Sequence, residues 1–306
     1  MDPIPRPPPA AATNLGAVYA GEPTGPGRAG GPDRLRVGHI QFLNCLPLYW
    51  GLVRSGSLPH VELVKDTPDR LSDALVAGDL DLGPISVAEY LNHPEDLLVL
   101  PGLAVGSDGP VLSVVLASRC PLADITRVAL GSTSRTSVLL ARMLLEQRYG
   151  LRPEYESMPP DLTTMLLDAD AAVLIGDAAL RAAHAASRLR LHVYDLGQQW
   201  RSWAGVPMVF AVWAVRRVVM ERRPGEVKDV HAAFVRSLDM ALQEIDCIAD
   251  EAARWEPFSA AELARYFRTL DFRLDAAQQA GLAEFARRAA AFGGAPLLRN
   301  VTFAPL

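Results

Sequence analysis

The order of segments from residue 35 onward constrains this chain more than any single motif. Residues 35–42, Leu-Arg-Val-Gly-His-Ile-Gln-Phe, form an apolar run that predicts a buried strand. Asn44 follows as a helix-capping residue, with Pro47 in the first turn of a helix expected over 45–54 and Gly56 just beyond its end. The pattern then recurs. Residues 61–64 predict a strand, Thr67-Pro68-Asp69 supply an N-cap, a first-turn proline and an acid, and Leu71, Ala74, Leu75 and Gly78 complete a second helix. A third strand over 81–86 leads into another helix, and two apolar strands follow over 97–105 and 111–117. Such βα alternation predicts an α/β fold built on parallel sheet.

A second set of the same kind begins after Pro121. Residues 128–130 predict a strand, Gly131-Ser-Thr-Ser-Arg-Thr-Ser137 a polar turn, and 138–149 an amphipathic helix stopped by Gly150. Strands over 153–156, 171–175 and 191–195 complete this smaller unit. The apolar segment 207–215 then leads into a helical tail, where Ser259-x-x-Glu262 and Asp275-x-x-Gln278 resemble capping boxes. One long strand leading out and another leading back predict two lobes joined by a double crossover. The expected lobes are 34–117 with 207–306, and 118–206. Residues 1–33 hold 8 Pro, 6 Gly and 6 Ala, a composition that predicts a disordered extension.

Composition excludes several function classes. With 30 Lys and Arg against 35 Asp and Glu, the net charge of −5 gives no general field for nucleic acid or an anionic membrane. Segment 207–215 is far shorter than the ~20 apolar residues of a spanning helix. Cys45, Cys120 and Cys247 have neither disulfide parity nor metal-ligand spacing, so no structural metal is expected. The start of the chain has no basic-then-apolar leader and no cysteine to carry a lipid, so a cytoplasmic protein is expected.

Ligands in open parallel sheets bind beyond the carboxyl ends of strands. Four polar turns qualify: Asn44, Ser86, Gly131 to Ser137, and Gly176-Asp177. The Gly131 turn offers helix-terminal amides, the hydroxyls of Ser132, Thr133, Ser134, Thr136 and Ser137, and the guanidinium of Arg135. It is either an anion site or an ordinary hydroxyl-rich helix cap. Asn44 carries the same two meanings. His39 lies within the first strand and is either a general base or a satisfied sheet histidine. Asp108-Gly109-Pro110 predicts a turn, with Ser113 three residues on. No Gly-x-Ser-x-Gly, His-Glu-x-x-His or Gly-x-Gly-x-x-Gly pattern occurs.

Six collinear blocks carry a resemblance. They are Arg36-Val-Gly-His-Ile-Gln-Phe-Leu-Asn-Cys-Leu-Pro-Leu-Tyr49, Lys65-Asp-Thr-Pro68, Gly78-Asp-Leu-Asp-Leu-Gly-Pro84, Gly131 to Ser137, Ala172-Val-Leu-Ile-Gly-Asp177 and Phe210-Ala-Val-Trp213. Together they resemble the chorismate dehydratases, the first enzymes of the futalosine route to menaquinone. The resemblance implies a type II periplasmic-binding-protein-like fold with an inter-lobe ligand cleft, in a cytoplasmic enzyme. It implies cofactor-independent loss of water from chorismate to give 3-[(1-carboxyvinyl)oxy]benzoate, with Asn44 and Ser113 as the functional pair. Ser86, the hydroxyls of residues 132–137 with Arg135, and Gly176 and Asp177 are the expected substrate-binding groups. The competing functions are a non-catalytic binder of small anions with the same fold, and the related dihydroxynaphthoate synthase.

Overall fold

The computed structural model describes residues 34–55 and 61–306. The expected extension 1–33 and the expected cap at Gly56 lie outside the described residues. Two five-stranded sheets organise the chain. The first has the order β2-β1-β3-β10-β4, built from β1 (Leu35–Ile40), β2 (Val61–Asp66), β3 (Leu82–Ser86), β4 (Leu97–Ser107) and β10 (Met208–Arg216). The second has the order β7-β6-β8-β5-β9, built from β5 (Val114–Ser118), β6 (Arg127–Gly131), β7 (Glu154–Met158), β8 (Ala171–Ile175) and β9 (His192–Asp195).

The βα alternation produces the expected parallel pairs. β1 runs parallel to β2 from Leu35 opposite Val61 to Ile40 opposite Asp66, and β6 runs parallel to both β7 and β8. The sheets are nevertheless mixed, because β10 is antiparallel to β3 and β4, and β5 is antiparallel to β8 and β9. Both exceptions are the first strand after a crossover. A chain arriving from the other lobe enters its new sheet at the carboxyl ends of the resident strands and must run back along them. Thus Met208 pairs with Ser107 and Val114 with Ile175. For the same reason β5 belongs to the second sheet. The first lobe ends in the 108–113 turn rather than at residue 117, since that turn carries the chain across instead of folding it back.

The helices interleave as expected. In the first lobe they are α1 (Leu46–Ser55), α2 (Pro68–Ala77) and the single turn α3 (Val87–Tyr90); in the second they are α4 (Arg135–Met143), α5 (Leu162–Asp168), α6 (Gly176–Leu189) and α7 (Leu196–Ala204). The tail comprises α8 (Arg217–Arg222), α9 (Pro224–Gln243), α10 (Ile245–Ala252), α11 (Ala260–Thr269) and α12 (Ala276–Phe292). α9 docks on α1 at very close range. The Ser237 hydroxyl donates to Leu48 O at 2.8 Å and accepts from Gly51 N at 2.9 Å, and a Cβ on Gly51 would meet Ser237 Cα at 2.7 Å. At α11 both halves of the expected capping box form between Ser259 and Glu262. The buried Trp200 indole donates to Pro207 O at 3.0 Å, which anchors the returning crossover. No helix among the described residues is long and apolar enough to cross a membrane.

Candidate active site between the lobes

The crossovers place the carboxyl ends of β1, β3 and β8 around one small cavity between the lobes. Its polar lining is Asn44, Ser86, Ser113, Ser134 and Ser137, with Gly176 beside them and apolar walls from both sheets. The cavity volume is about 40 Å³, room for roughly three waters. That is less than a ring-sized ligand needs.

Asn44 sits within a single 3-10 turn, Leu43–Cys45, and its Oδ1, the atom that would cap a helix, accepts no hydrogen bond. The capping alternative for this residue is thereby removed. Its Oδ1 is buried without a hydrogen-bond partner. Such an atom is costly in a folded chain unless something else satisfies it, which makes it the most informative atom of the cavity. Ser113 is buried, and its hydroxyl donates to Val111 O at a long 3.4 Å. The residue before it, Leu112, has φ of 63°, a left-handed conformation that costs a non-glycine residue on the order of 1–2 kcal/mol.

The Gly131 turn divides. Ser134 caps α4 by accepting from Ser137 N at 3.2 Å, and its hydroxyl donates to Ser137 Oγ at 3.0 Å; both line the cavity. Ser132, Thr133, Arg135 and Thr136 do not. Arg135 instead reaches across to the first lobe, with Nη2 2.6 Å from Asp73 Oδ1 and Nη1 3.1 Å from Glu89 Oε2. Thr136 Oγ1 accepts from Ala88 N, also across the interface, at 3.0 Å. The arginine expected on a substrate carboxylate is thus engaged in closing the lobes. Ser86 caps α3 by accepting from Glu89 N at 3.3 Å while also lining the cavity.

Gly176 and Asp177 separate in the same way. Gly176 lines the cavity at φ of 58°, and a Cβ there would meet the Phe42 ring of the first lobe at 2.8 Å. Asp177 lies outside the cavity lining, and its Oδ1 accepts from Leu43 N across the cleft at 3.0 Å. Burial pushes its pKa up to about 7, with Glu256 adding to the rise and the Leu43 amide and Arg181 opposing it.

His39 is a sheet histidine rather than a base at the cavity. It stacks on Tyr49 with ring centroids 3.6 Å apart, and burial, with the Lys65 charge, pushes its pKa down to about 3. Sequence reasoning missed Tyr266. This buried side chain of α11 lies near Ser113, its hydroxyl has no hydrogen-bond partner among the described residues, and burial raises its pKa, so it stays protonated. A tyrosine on the apolar stripe of a helix has no signal that separates it from core.

Two lobes, two crossovers and a cavity of hydroxyls and one amide between them define a two-lobed α/β architecture. Solved structures of that architecture agree. A protein of Archaeoglobus fulgidus superposes with a TM-score of 0.70 at 19% identity, covering 86% of this chain and 99% of its own. The periplasmic aliphatic sulphonate binding protein of Escherichia coli superposes at 0.60 with 17% identity, covering 87% and 94%. The fold is that of the periplasmic binding proteins. Within it the particular family is given by sequence: a family profile described as menaquinone biosynthesis matches residues 35–291, and the chain belongs to that family. A chorismate dehydratase of Thermus thermophilus is 30% identical over 267 residues, covering 82% of this chain and 93% of the relative.

Proposed function

We propose that this chain is a hydro-lyase that removes water from chorismate to give 3-[(1-carboxyvinyl)oxy]benzoate, an early step toward menaquinone in the cytoplasm. The observation that carries the reading is the meeting of Asn44, from the first lobe, and Ser113, from the entry to the second, on one closed cavity. The named relative from Thermus thermophilus supplies the substrate.

The chemistry suits such a cavity. The C3 hydrogen of chorismate is acidified through the conjugated ring carboxylate. It leaves as a proton, its electron pair forms the last ring double bond, and the C4 hydroxyl departs with a proton as water. The ring becomes aromatic, so positioning and anion stabilisation count for more than a strong base. Ser134 and Ser137, at the positive end of α4, receive one carboxylate. Asn44 and Ser113 hold the C4 hydroxyl, the Asn44 amide accepting its hydrogen or donating to its oxygen as it leaves. The substrate's own enolpyruvyl carboxylate is a candidate proton acceptor.

Asn44→Ala and Ser113→Ala proteins test the assignment. Each is expected to keep its thermal transition and lose on the order of 100-fold in kcat/KM for chorismate. Two folded variants that turn over chorismate at the unsubstituted rate would remove both residues from the reaction.

A further inference from the structure

We propose that Asp195 is a positioning residue for this reaction: its carboxylate locks the crossover turn that presents Ser113 to the cavity. The claim rests on the function proposed above. Asp195 ends β9 and caps α7 by accepting from Gln198 N at 3.0 Å. The same carboxylate accepts from Val111 N at 3.1 and 3.0 Å and from Leu112 N at 2.7 Å, more than 80 residues back in the chain. One anion thus gathers amides from two segments, and hydrogen bonds to an ionised acceptor are the stronger kind.

The turn it grips needs holding. Leu112 has φ of 63°, and a bulky residue persists there only where its surroundings over-determine it. Ser113 is the next residue, and its carbonyl accepts from Gly176 N at 2.8 Å, so the turn is pinned at the carboxylate on one side and at the cavity on the other. α7 also presses on the crossover. A Cβ on Gly197 would lie 2.7 Å from Gly109 O and 2.8 Å from Ser107 Oγ. Asp195 is absent from the cavity lining, so its effect on the reaction passes through Ser113. Burial raises its pKa, and the Gln198, Leu112 and Val111 amides oppose the rise, as they would for a carboxylate serving three backbone donors.

The test is Asp195→Asn, which keeps the shape but turns an amide NH2 toward backbone donors. A small displacement of Ser113 is expected to lower kcat by on the order of 100-fold with KM unchanged. In a Ser113→Ala background the same substitution is expected to cost nothing more, since the group it positions is gone. Hydrogen exchange at the Val111 and Leu112 amides is expected to accelerate. Leu112→Val disturbs the turn with Asp195 intact, because a β-branched residue tolerates that φ still less, and should reproduce the kcat loss even if Asp195→Asn fails to fold. Unchanged kcat in both variants, or a full additional loss in the Ser113→Ala background, would overturn the proposal. Turnover of chorismate by the unsubstituted chain, measured alongside, tests the function separately. The exchange rates decide the positioning claim without reference to activity, and unchanged exchange at both amides in Asp195→Asn would refute it.

Discussion

Asp177 carries the clearest pH signature of any residue at the cleft. Held by Leu43 N across the lobes, its half-buried carboxyl keeps a proton up to about pH 7, whereas in solvent it ionises near 3.8. Between those values the closed, folded form binds more protons than the unfolded chain. Stability therefore falls as pH rises through that window and levels off above about 7. The thermal transition of the native protein is expected to drop across this range relative to Asp177→Asn, in which that component of the slope disappears. Parallel profiles for the two proteins would contradict the assignment. At this scale the four polar turns at strand ends were legible in the sequence, and all four lie at the lobe interface. Which residues of a turn face inward was not. Ser134 and Ser137 share a helix face at a spacing of three, while Arg135 is rotated off it and meets Asp73 and Glu89 instead. Hydroxyl count and charge alone could not reveal that rotation.

Among the elements, the junction of β8 with α6 decides how closely the lobes approach. Gly176 has a left-handed backbone and lies under the Phe42 ring with no space for a methyl group. Gly176→Ala is expected to hold the lobes apart and lower kcat/KM for chorismate by at least about tenfold, with the secondary structure unchanged by circular dichroism. Activity at the unsubstituted level would show that closure on Phe42 is dispensable. Element order and type were legible because turn residues punctuate each strand: Thr67-Pro68-Asp69 before α2 and Ser259-x-x-Glu262 before α11 are local signals. The direction of β5 and β10 was not local. It depends on the side from which the chain re-enters a sheet, and an apolar run such as Val114–Ser118 fits either direction and either lobe.

At the scale of the whole fold, the described residues form two sheets whose interface is held by contacts from many parts of the chain. Arg135 and Thr136 from α4 meet Asp73, Ala88 and Glu89, while Arg181 and His184 of α6 reach Glu256 and Glu262 in the helical tail. Several of these pairs are exposed, and such pairs contribute little each, about 0–1 kcal/mol. Pairs this weak would not oppose the parting of the lobes that the proposed reaction needs. The tail therefore serves both as core for the first lobe and as a docking face for the second. A hydro-lyase converts the substrate it encloses, where a binding protein only retains it. The direct measurement is incubation of the purified full chain with chorismate, followed by ultraviolet absorbance and mass. The expected result is steady conversion to an aromatic product lighter by one water. Chorismate recovered intact from a folded protein, whether or not it raises the melting temperature, would contradict the proposed reaction and leave a binding protein in its place.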